Sequence, residues 1–373
     1  MGSFAFYMNC VSAHQLPLAK AVAELVGPEN FCYVDAGEKG QEYQSCHATT
    51  GIRVKVKVQG EQWLEESNVM LTGMRDLELF ERRAKKGLRT YYTSERWFKP
   101  LTLFDCLISV AVPGWVRMVV PGYRRMVQLF VKWANEDPGA RVLAIGPWAK
   151  KDFMKMGVSA EKIVDWGYFV EKGSGIRDQG SGANESNNPK SNNQTVLKVL
   201  WCGRMLGLKR VETILRAVEK VGVDVGVGGQ RTVSLTIVGD GPEKDRLMHL
   251  AKRVEKRGGG GQWSPSPQIE FLPSQPMEKV RELMRQHDLF VLPSNGYEGW
   301  GAVVSEALEE GMRVLGTFEA GASATLLPRE RLFHSGDWKG LAQLIEKDMR
   351  GELPPCSIGE WTAKAAAKRL MEV

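Results

Sequence analysis

The sequence lacks long apolar runs, dense basic blocks and regularly spaced cysteines, and each absence excludes a class of protein. No run approaches the roughly 18 apolar residues of a membrane-spanning helix. Residues 1–11 are too short and uncharged to predict a secretory signal. The six cysteines have no metal-binding or redox spacing, which favours reduced thiols in a cytosolic protein. No cluster of Lys and Arg is dense enough to indicate a nucleic-acid partner.

The composition is that of a globular protein with more basic than acidic side chains. The chain has 373 residues, of which 43% are hydrophobic and 25% are charged, and this length predicts two domains. The formal net charge of +6 favours anionic partners in general. Sugar nucleotides and acidic lipid surfaces both satisfy this preference.

Residues 288–311 are the most informative stretch of the chain. The apolar run 289–292 stops at Pro293, a glycine-rich turn follows, and good helix formers come next, which predicts a strand, a loop and a helix. Such a loop lies at the carboxyl end of a buried strand, where open α/β sheets bind ligands. Gly299 and Gly301 let the backbone approach a ligand, and the start of the helix favours an anion such as phosphate.

Two carboxylates flank this turn. Glu298 lies in the loop, and Glu306 lies about one turn into the helix, where side chains lean back towards the loop. Taken alone, Glu306 also fits a solvated glutamate among acidic neighbours. We expect it to lie off the core, because the apolar stripe of the helix consists of Val303, Val304, Ala307 and Leu308.

The two glutamates, with seven residues between them that include Gly299, Trp300 and Gly301, resemble the signature of retaining nucleotide-sugar glycosyltransferases of family four. The resemblance implies the GT-B architecture, an α/β fold with two Rossmann-like domains facing each other across a cleft. It implies that Glu298 contacts the donor sugar, that Glu306 holds the ribose and that the amides of the intervening turn bind the diphosphate. Trp300 stands where Phe is commoner in that family.

The amino-terminal half alternates predicted strands and helices, which indicates a parallel sheet. His14 follows the first strand, and with Gln15 it resembles a pair found in some bacterial polysaccharide glycosyltransferases; a structural role for this lone histidine is equally open. Glu95 follows the fifth strand and either faces the reacting centre or forms an exposed ion pair with Arg96. The predicted strands are 4–8, 31–34, 52–58, 69–72, 88–92, 141–145 and 163–169, with helices at 15–26, 76–86 and near 150–156.

Residues 106–135 contain no acidic side chain. Their aromatic and aliphatic residues alternate with Arg117, Arg124, Arg125 and Lys132. This pattern is typical of a segment that lies on an anionic membrane. It also fits core helices with a polar edge, interrupted at residues 121–122.

The composition changes abruptly at residues 171–195, which are rich in Gly, Ser and Asn and predict a flexible linker. The chain is therefore divided into an acceptor-side domain at 1–170, a donor-binding domain at 196–360, and a last helix at 361–373 that the GT-B resemblance would return to the first domain. A second loop, 257–267, contains four consecutive glycines and predicts a surface insertion.

The donor-binding domain begins with a strand at 196–201 and a loop that carries two cations. Arg204 offers a bidentate fork for phosphate and Lys209 a mobile charge, although either could be an ordinary surface cation. Their position after Gly203 resembles the glycine-arginine loop and the diphosphate-neutralising lysine of the family. Gly239 opens a Gly-Asp-Gly-Pro sequence that the family also has, whereas by itself it is weak support for a nucleotide.

The sequence thus predicts a cytoplasmic enzyme, with an anionic membrane surface as a candidate partner, that moves a hexosyl group from a nucleoside diphosphate sugar to a glycan, lipid-linked or small-molecule acceptor with retention. Such enzymes serve polysaccharide biosynthesis. The candidate catalytic residues are Glu298, Glu95 and His14. No metal is expected, because Asp240 stands alone without the Asp-x-Asp pair that would hold one. The alternatives are a GT-B sugar-nucleotide epimerase and a non-catalytic nucleotide-binding scaffold protein.

Overall fold

The structure, a computed structural model, describes residues 2–37, 51–73, 77–97, 121–170, 195–221, 231–257 and 267–373. The chain divides into two compact units, Met1–Lys172 together with Gly359–Val373, and Gly173–Ile358. Within the described ranges, no helix is both long and apolar enough to span a membrane. Residues 106–120 of the basic segment, the predicted linker except Thr195, and most of the loop 257–267 lie outside the described residues.

The first unit is built on a seven-stranded parallel sheet whose inner strands are buried on both faces, as in Phe31–Asp35. The sheet has the order β3-β2-β1-β4-β5-β6-β7, so the strand order reverses between β1 and β4. Ligands bind at the carboxyl ends of strands at such a reversal. The strands are β1 Phe4–Met8, β2 Phe31–Asp35, β3 Val54–Val56, β4 Asn68–Leu71, β5 Thr90–Ser94, β6 Ala140–Ile145 and β7 Ile163–Trp166.

Helices cover this sheet. In the first of them, Leu18, Val22 and Val26 are buried at helical spacing, and the helix ends at Gly27, whose φ of 93° favours glycine. The helices up to the last strand of the sheet are α1 Leu16–Val26, α2 Lys57–Glu66, α3 Leu77–Lys85, α4 Pro121–Glu136 and α5 Pro147–Met156.

The prediction of a strand over residues 52–58 was wrong beyond the short β3, because α2 begins at Lys57. This helix buries only Gly60 and Leu64, so it carries no apolar stripe that the sequence could reveal. It approaches the sheet through its glycine: a Cβ at Gly60 would lie 2.7 Å from Val34 Cγ2. Close packing, rather than a hydrophobic pattern, therefore holds α2 in place.

The described part of the basic segment is a core helix with a basic edge. It spans Pro121–Glu136. Its Phe130 and Trp133 are buried in the core cluster of the first unit, whereas Arg124 and Arg125 are exposed. The two large rings of α4 therefore pack inside the protein.

The second unit contains a six-stranded parallel sheet of order β10-β9-β8-β11-β12-β13. The order reverses between β8 and β11, which places a second crevice at their carboxyl ends. The predicted α/β fold with two parallel sheets is confirmed. The strands are β8 Thr195–Cys202, β9 Arg231–Val238, β10 Gln268–Leu272, β11 Leu289–Leu292, β12 Arg313–Thr317 and β13 Leu332–Phe333. The helices are α6 Glu212–Lys220, α7 Lys244–Arg257, α8 Met277–Gln286, α9 Ala302–Glu309, α10 Gly321–Leu326 and α11 Trp338–Met349.

A buried ion pair fixes the carboxyl end of α9. The Glu310 carboxylate is only 2% exposed and accepts hydrogen bonds from Arg281 and Arg285 of α8, at 2.8 and 2.7 Å. Removing both arginines would leave the buried carboxylate uncompensated, at a cost of about 3–5 kcal/mol. The helix that carries Glu306 is thereby held against its neighbour.

The last helix, α12 Ala363–Glu372, belongs to the first unit and packs against α1. Its small apolar face is buried, and the Ala363 N–H donates to the Val170 carbonyl at 3.1 Å. The Arg369 guanidinium lies 4.9 Å from the Trp166 ring centroid and 5.1 Å from that of Trp361, within the range of a cation–π contact.

Candidate active site

Two loops of the second unit meet at the reversal of strand order. One follows β8 and covers residues 203–211, and the other follows β11 and covers residues 293–301. The Asn295 N–H donates to the Leu208 carbonyl at 2.9 Å, and the Thr317 hydroxyl donates to the Ser294 carbonyl at 2.6 Å. These bonds fix the second loop to the first and to β12.

An ion pair joins the two loops. Lys209 ends a 3₁₀ turn, Gly207–Lys209, and its ammonium donates to the carboxylate of Glu298. Both side chains are largely buried, with exposed fractions of 20% and 13%. A close pair that is partly withdrawn from water is stronger than a surface pair. The two residues that the sequence placed at neighbouring strand ends are thus in direct contact.

Glycines make this close approach possible. Gly239 has a φ of 138°, and a Cβ on it would lie 2.0 Å from the Gly203 carbonyl oxygen. Gly301 has a φ of 87°, and a Cβ there would lie 2.8 Å from a methyl carbon of Leu292 and 3.5 Å from Cγ of Glu298. No larger residue fits at these two positions, so the loops after β8, β9 and β11 pack backbone to backbone.

The expectation that Glu306 lies off the core was wrong. The residue is 8% exposed, because the eight-residue helix α9 is covered by β12 and by the neighbouring helices α8 and α10. Burial raises the pKa of the Glu306 carboxyl above its ordinary value, and the charge of Arg281 opposes that rise. A carboxyl in this environment gains from hydroxyl donors that would replace lost water.

The Trp300 side chain is 1% exposed and lies in the core, with its indole N–H 3.3 Å from the Ser305 hydroxyl. The indole ring is therefore a core group and not a ligand contact. The Ala322 N–H donates to the Trp300 carbonyl at 2.8 Å, which holds the turn against α10.

The side chains of Cys202, Glu306 and Lys209 interact electrostatically at the carboxyl end of β8. Burial raises the pKa of the Cys202 thiol, the charge of Glu306 raises it further, and the charge of Lys209 lowers it. Glu306 and Lys209 are thus electrostatic neighbours of one residue, directly before Gly203. Arg204 follows on the exposed surface of the same loop.

In the first unit, the candidate residues His14 and Glu95 both contact Tyr168. The Tyr168 hydroxyl donates to Glu95 Oε1 at 3.0 Å, and the Tyr168 ring stacks on the His14 imidazole with the ring centroids 5.7 Å apart. His14, Glu95 and Tyr168 are all half-buried and follow β1, β5 and β7. They form one cluster at the carboxyl edge of the sheet.

Arg96 has a different neighbour. Its Nε lies 4.0 Å from Oδ2 of the buried Asp152, which also accepts the Trp97 N–H at 2.8 Å. The guanidinium carbon lies 5.5 Å from the Trp148 ring centroid. These contacts attach the loop after β5 to α5.

Residues 183–360 match the family model of the glycosyl transferases group 1. The match spans nearly all of the second unit. None of the curated protein sequences compared with this chain matches it.

Solved structures of glycosyltransferases share the fold of the whole chain. A lipopolysaccharide outer core galactosyltransferase, WaaB, superposes with a TM-score of 0.61 at 15% identity, covering 94% of this chain and 91% of its own. HepE of Anabaena, solved in complex with UDP, gives 0.60 at 15% identity, with 99% and 94% covered. A glycosyltransferase of Rickettsia africae gives 0.59 at 14% identity, with 100% and 97% covered. The predicted GT-B fold is confirmed.

Sequence reasoning missed two residues of the candidate site. Asn295, whose backbone links the two donor-side loops, has no distinctive pattern around it. Tyr168 carries a detectable signal, because it lies two residues beyond β7, at the same edge of the sheet as Glu95.

Proposed function

We propose that the chain is a retaining, metal-independent glycosyltransferase that transfers a hexosyl group from a nucleoside diphosphate sugar, bound by the second unit, to a glycan, lipid-linked or small-molecule acceptor, bound by the first. The observation that carries this proposal is the Lys209–Glu298 pair at the meeting point of the loops after β8 and β11. It lies inside the residues that match the group 1 family.

The diphosphate would be neutralised by the chain's own cations and amides. Lys209 supplies an ammonium, Arg204 an exposed guanidinium, and the first residues of α9, 302 and 303, supply backbone N–H groups. Gly301 brings the backbone of this turn close to whatever occupies the crevice, because it has no side chain. UDP in the complex of the similarly folded HepE supports a nucleoside diphosphate as the ligand class.

Donor binding would rearrange the ion pair. A diphosphate carries more negative charge than a carboxylate, so it would draw the Lys209 ammonium away from Glu298. The released Glu298 could then accept hydrogen bonds from the hydroxyls of the donor sugar. Glu306, which is buried and short of water, would accept hydrogen bonds from the ribose hydroxyls.

Transfer with retention follows if the acceptor attacks from the face that the diphosphate leaves, and the leaving phosphate takes the acceptor proton. The bond from the anomeric carbon to the diphosphate oxygen breaks while the bond to the acceptor oxygen forms. Arg204, Lys209 and the start of α9 would stabilise the charge that develops on the leaving group.

The exposed basic edge of α4 supports a further part of the proposal, a cytoplasmic location at the inner face of a membrane. Arg124, Arg125 and Lys132 are exposed, and anionic lipids attract such side chains by about 1 kcal/mol each near the surface. Because Phe130 and Trp133 of α4 are buried, this attraction would be electrostatic without insertion of these rings.

A thermal-shift screen of nucleoside diphosphates and their sugars, with and without a chelator, tests the proposal. One nucleoside diphosphate should raise the unfolding midpoint, since ligand at 100 times its dissociation constant stabilises the native state by about 2.7 kcal/mol. Chelator should leave the rise unchanged. Arg204→Ala and Lys209→Ala should each remove most of it, whereas Lys220→Ala, at an exposed position of α6, should not. Absence of any shift, or a shift that requires a divalent ion, contradicts the proposal.

A further inference from the structure

The first unit contains a cavity of about 210 Å³ at the reversal of its strand order. Met8 of β1, Ala36 just after β2 and Leu71 of β4 line it, so it opens at the carboxyl ends of the three central strands. This is the position where open α/β sheets bind ligands. The cavity shares no lining residue with the Lys209 site or with the cluster of His14, Glu95 and Tyr168.

The lining combines apolar surface with a few polar groups. Leu79 and Phe80 of α3 supply part of the apolar surface, and Asn9 and Thr72 supply an amide and a hydroxyl. Ligand sites of this kind bind the carbon skeleton by packing and fix its orientation with a small number of hydrogen bonds. The cavity is smaller than the roughly 300–1,000 Å³ of pockets for drug-sized ligands, which suits a single sugar ring.

Lys57 gives the cavity its charge. Among the described residues that line it, Lys57 alone is charged, and its Nζ lies 5.8 Å from the centroid of the Tyr7 ring. A cation–π contact of this length directs the ammonium, which is a donor-only group with three N–H hydrogens. An anionic group on the ligand is the natural partner for an ammonium held in this way.

We propose that the cavity binds an anionic sugar unit of the acceptor, with Lys57 donating to its phosphate or carboxylate and with Asn9 and Thr72 bonded to ring hydroxyls. The inference rests on the proposed function, in that it makes the first unit the acceptor site, and it narrows the acceptor to one that carries a charged sugar. Phosphate and carboxylate share the required chemistry.

Ligand-detected NMR on the full chain can distinguish a phosphate ligand from a carboxylate ligand. The probes are glucose 6-phosphate, glucuronate and, as the uncharged reference, glucose. At least one anionic probe should bind more tightly than glucose, and the tighter of the two identifies phosphate or carboxylate. Lys57→Gln should weaken its binding roughly 10- to 100-fold, the range for a hydrogen bond to a charged group. Lys57→Arg should restore most of it. Lys55→Gln is the matched control, because it removes the same charge from β3 and Lys55 does not line the cavity.

Lys209→Ala distinguishes the cavity from the donor site, where a sugar phosphate could also bind. Binding that persists in Lys209→Ala and is weakened in a folded Lys57→Gln variant supports the proposal. It is overturned if neither anionic probe binds, if Lys57→Gln binds like the wild type, or if Lys209→Ala abolishes binding. The shift caused by nucleoside diphosphates should be the same in Lys57→Gln and the wild type, so a failure of the donor proposal would be visible separately.

Discussion

Lys209 and Glu298 neutralise each other across two loops that begin at neighbouring strands. Lys209 is the residue proposed to bind the donor phosphate, and Glu298 is the residue proposed to bind the donor sugar. Without a substrate, the two residues bind each other. The pair itself therefore carries no net charge, and a weakly charged anion must compete for Lys209 with a carboxylate that is already in place. This competition gives the first prediction.

Glu298→Gln should lower kcat at least ~100-fold, the scale of losing one preorganised polar contact at a reacting centre. The same change should strengthen binding of a nucleoside diphosphate without its sugar, because Lys209 loses its competing carboxylate. Steady-state kinetics and titration calorimetry measure the two effects. Glu278→Gln, exposed on α8, is the control and should change neither. A variant with both wild-type turnover and wild-type affinity would remove Glu298 from the site.

Glu306→Gln should weaken donor binding and change the pH dependence of stability. Because burial raises the pKa of Glu306 in the folded state, the folded protein binds more protons than the unfolded chain just above the ordinary Glu pKa. This residue's contribution to the free energy of unfolding therefore falls as pH rises from the ordinary pKa through the raised one. Denaturant titrations at several pH values should show that fall in the wild type and a smaller one in the variant. Parallel curves would mean that the carboxyl titrates normally.

Tyr168→Phe should separate the catalytic interpretation of Glu95 from a structural one. The change removes one hydroxyl donor to Glu95 and preserves the ring that stacks on His14. If Glu95 faces the reacting centre, kcat should fall about 10-fold or more, as expected for a hydrogen bond to a charged group. The midpoint shift caused by the nucleotide should be unchanged, since the donor residues lie in the second unit. An unaltered kcat would make the cluster structural.

Arg124→Gln combined with Arg125→Gln should weaken binding to anionic liposomes by about 1 kcal/mol per charge, with activity on a soluble acceptor unchanged. Both side chains are exposed on α4, so the fold should tolerate the change. Co-sedimentation at low and high salt provides the measurement, because electrostatic binding weakens with salt. Wild-type protein that ignores such liposomes at low salt contradicts a membrane role for this edge.

The sequence was most informative where chemistry and periodicity coincide. The run 289–292, its proline and the glycines after it predicted a strand, a loop and a helix, and the structure has β11, a turn and α9 in that order. The sequence was least informative where close packing of a glycine, and not a periodic apolar pattern, holds an element in place. Gly60 holds α2 to the sheet by having no side chain, so that helix could not be predicted from an apolar stripe.

Tertiary burial accounts for the misplaced glutamate. A stripe of apolar residues predicts which face of a helix is buried only when the opposite face meets water. The short helix α9 has neighbours on several sides, so Glu306 is buried although it lies off the stripe. In the same way, the contact of His14 with Tyr168 depends on loops from β1 and β7, which are separated in the sheet by three other strands, and no local pattern encodes it.

The place of α12 in the first unit has a consequence for the synthesis of the chain. The ribosome completes β1 to β7 and then the whole second unit before residues 359–373 emerge. Until then α1 lacks its covering helix, and Trp166 and Phe169 lack Arg369 and Trp361. The final packing of the first unit thus waits until residues 359–373 have been synthesised, and a nascent chain must keep that apolar face from aggregating while the second unit folds.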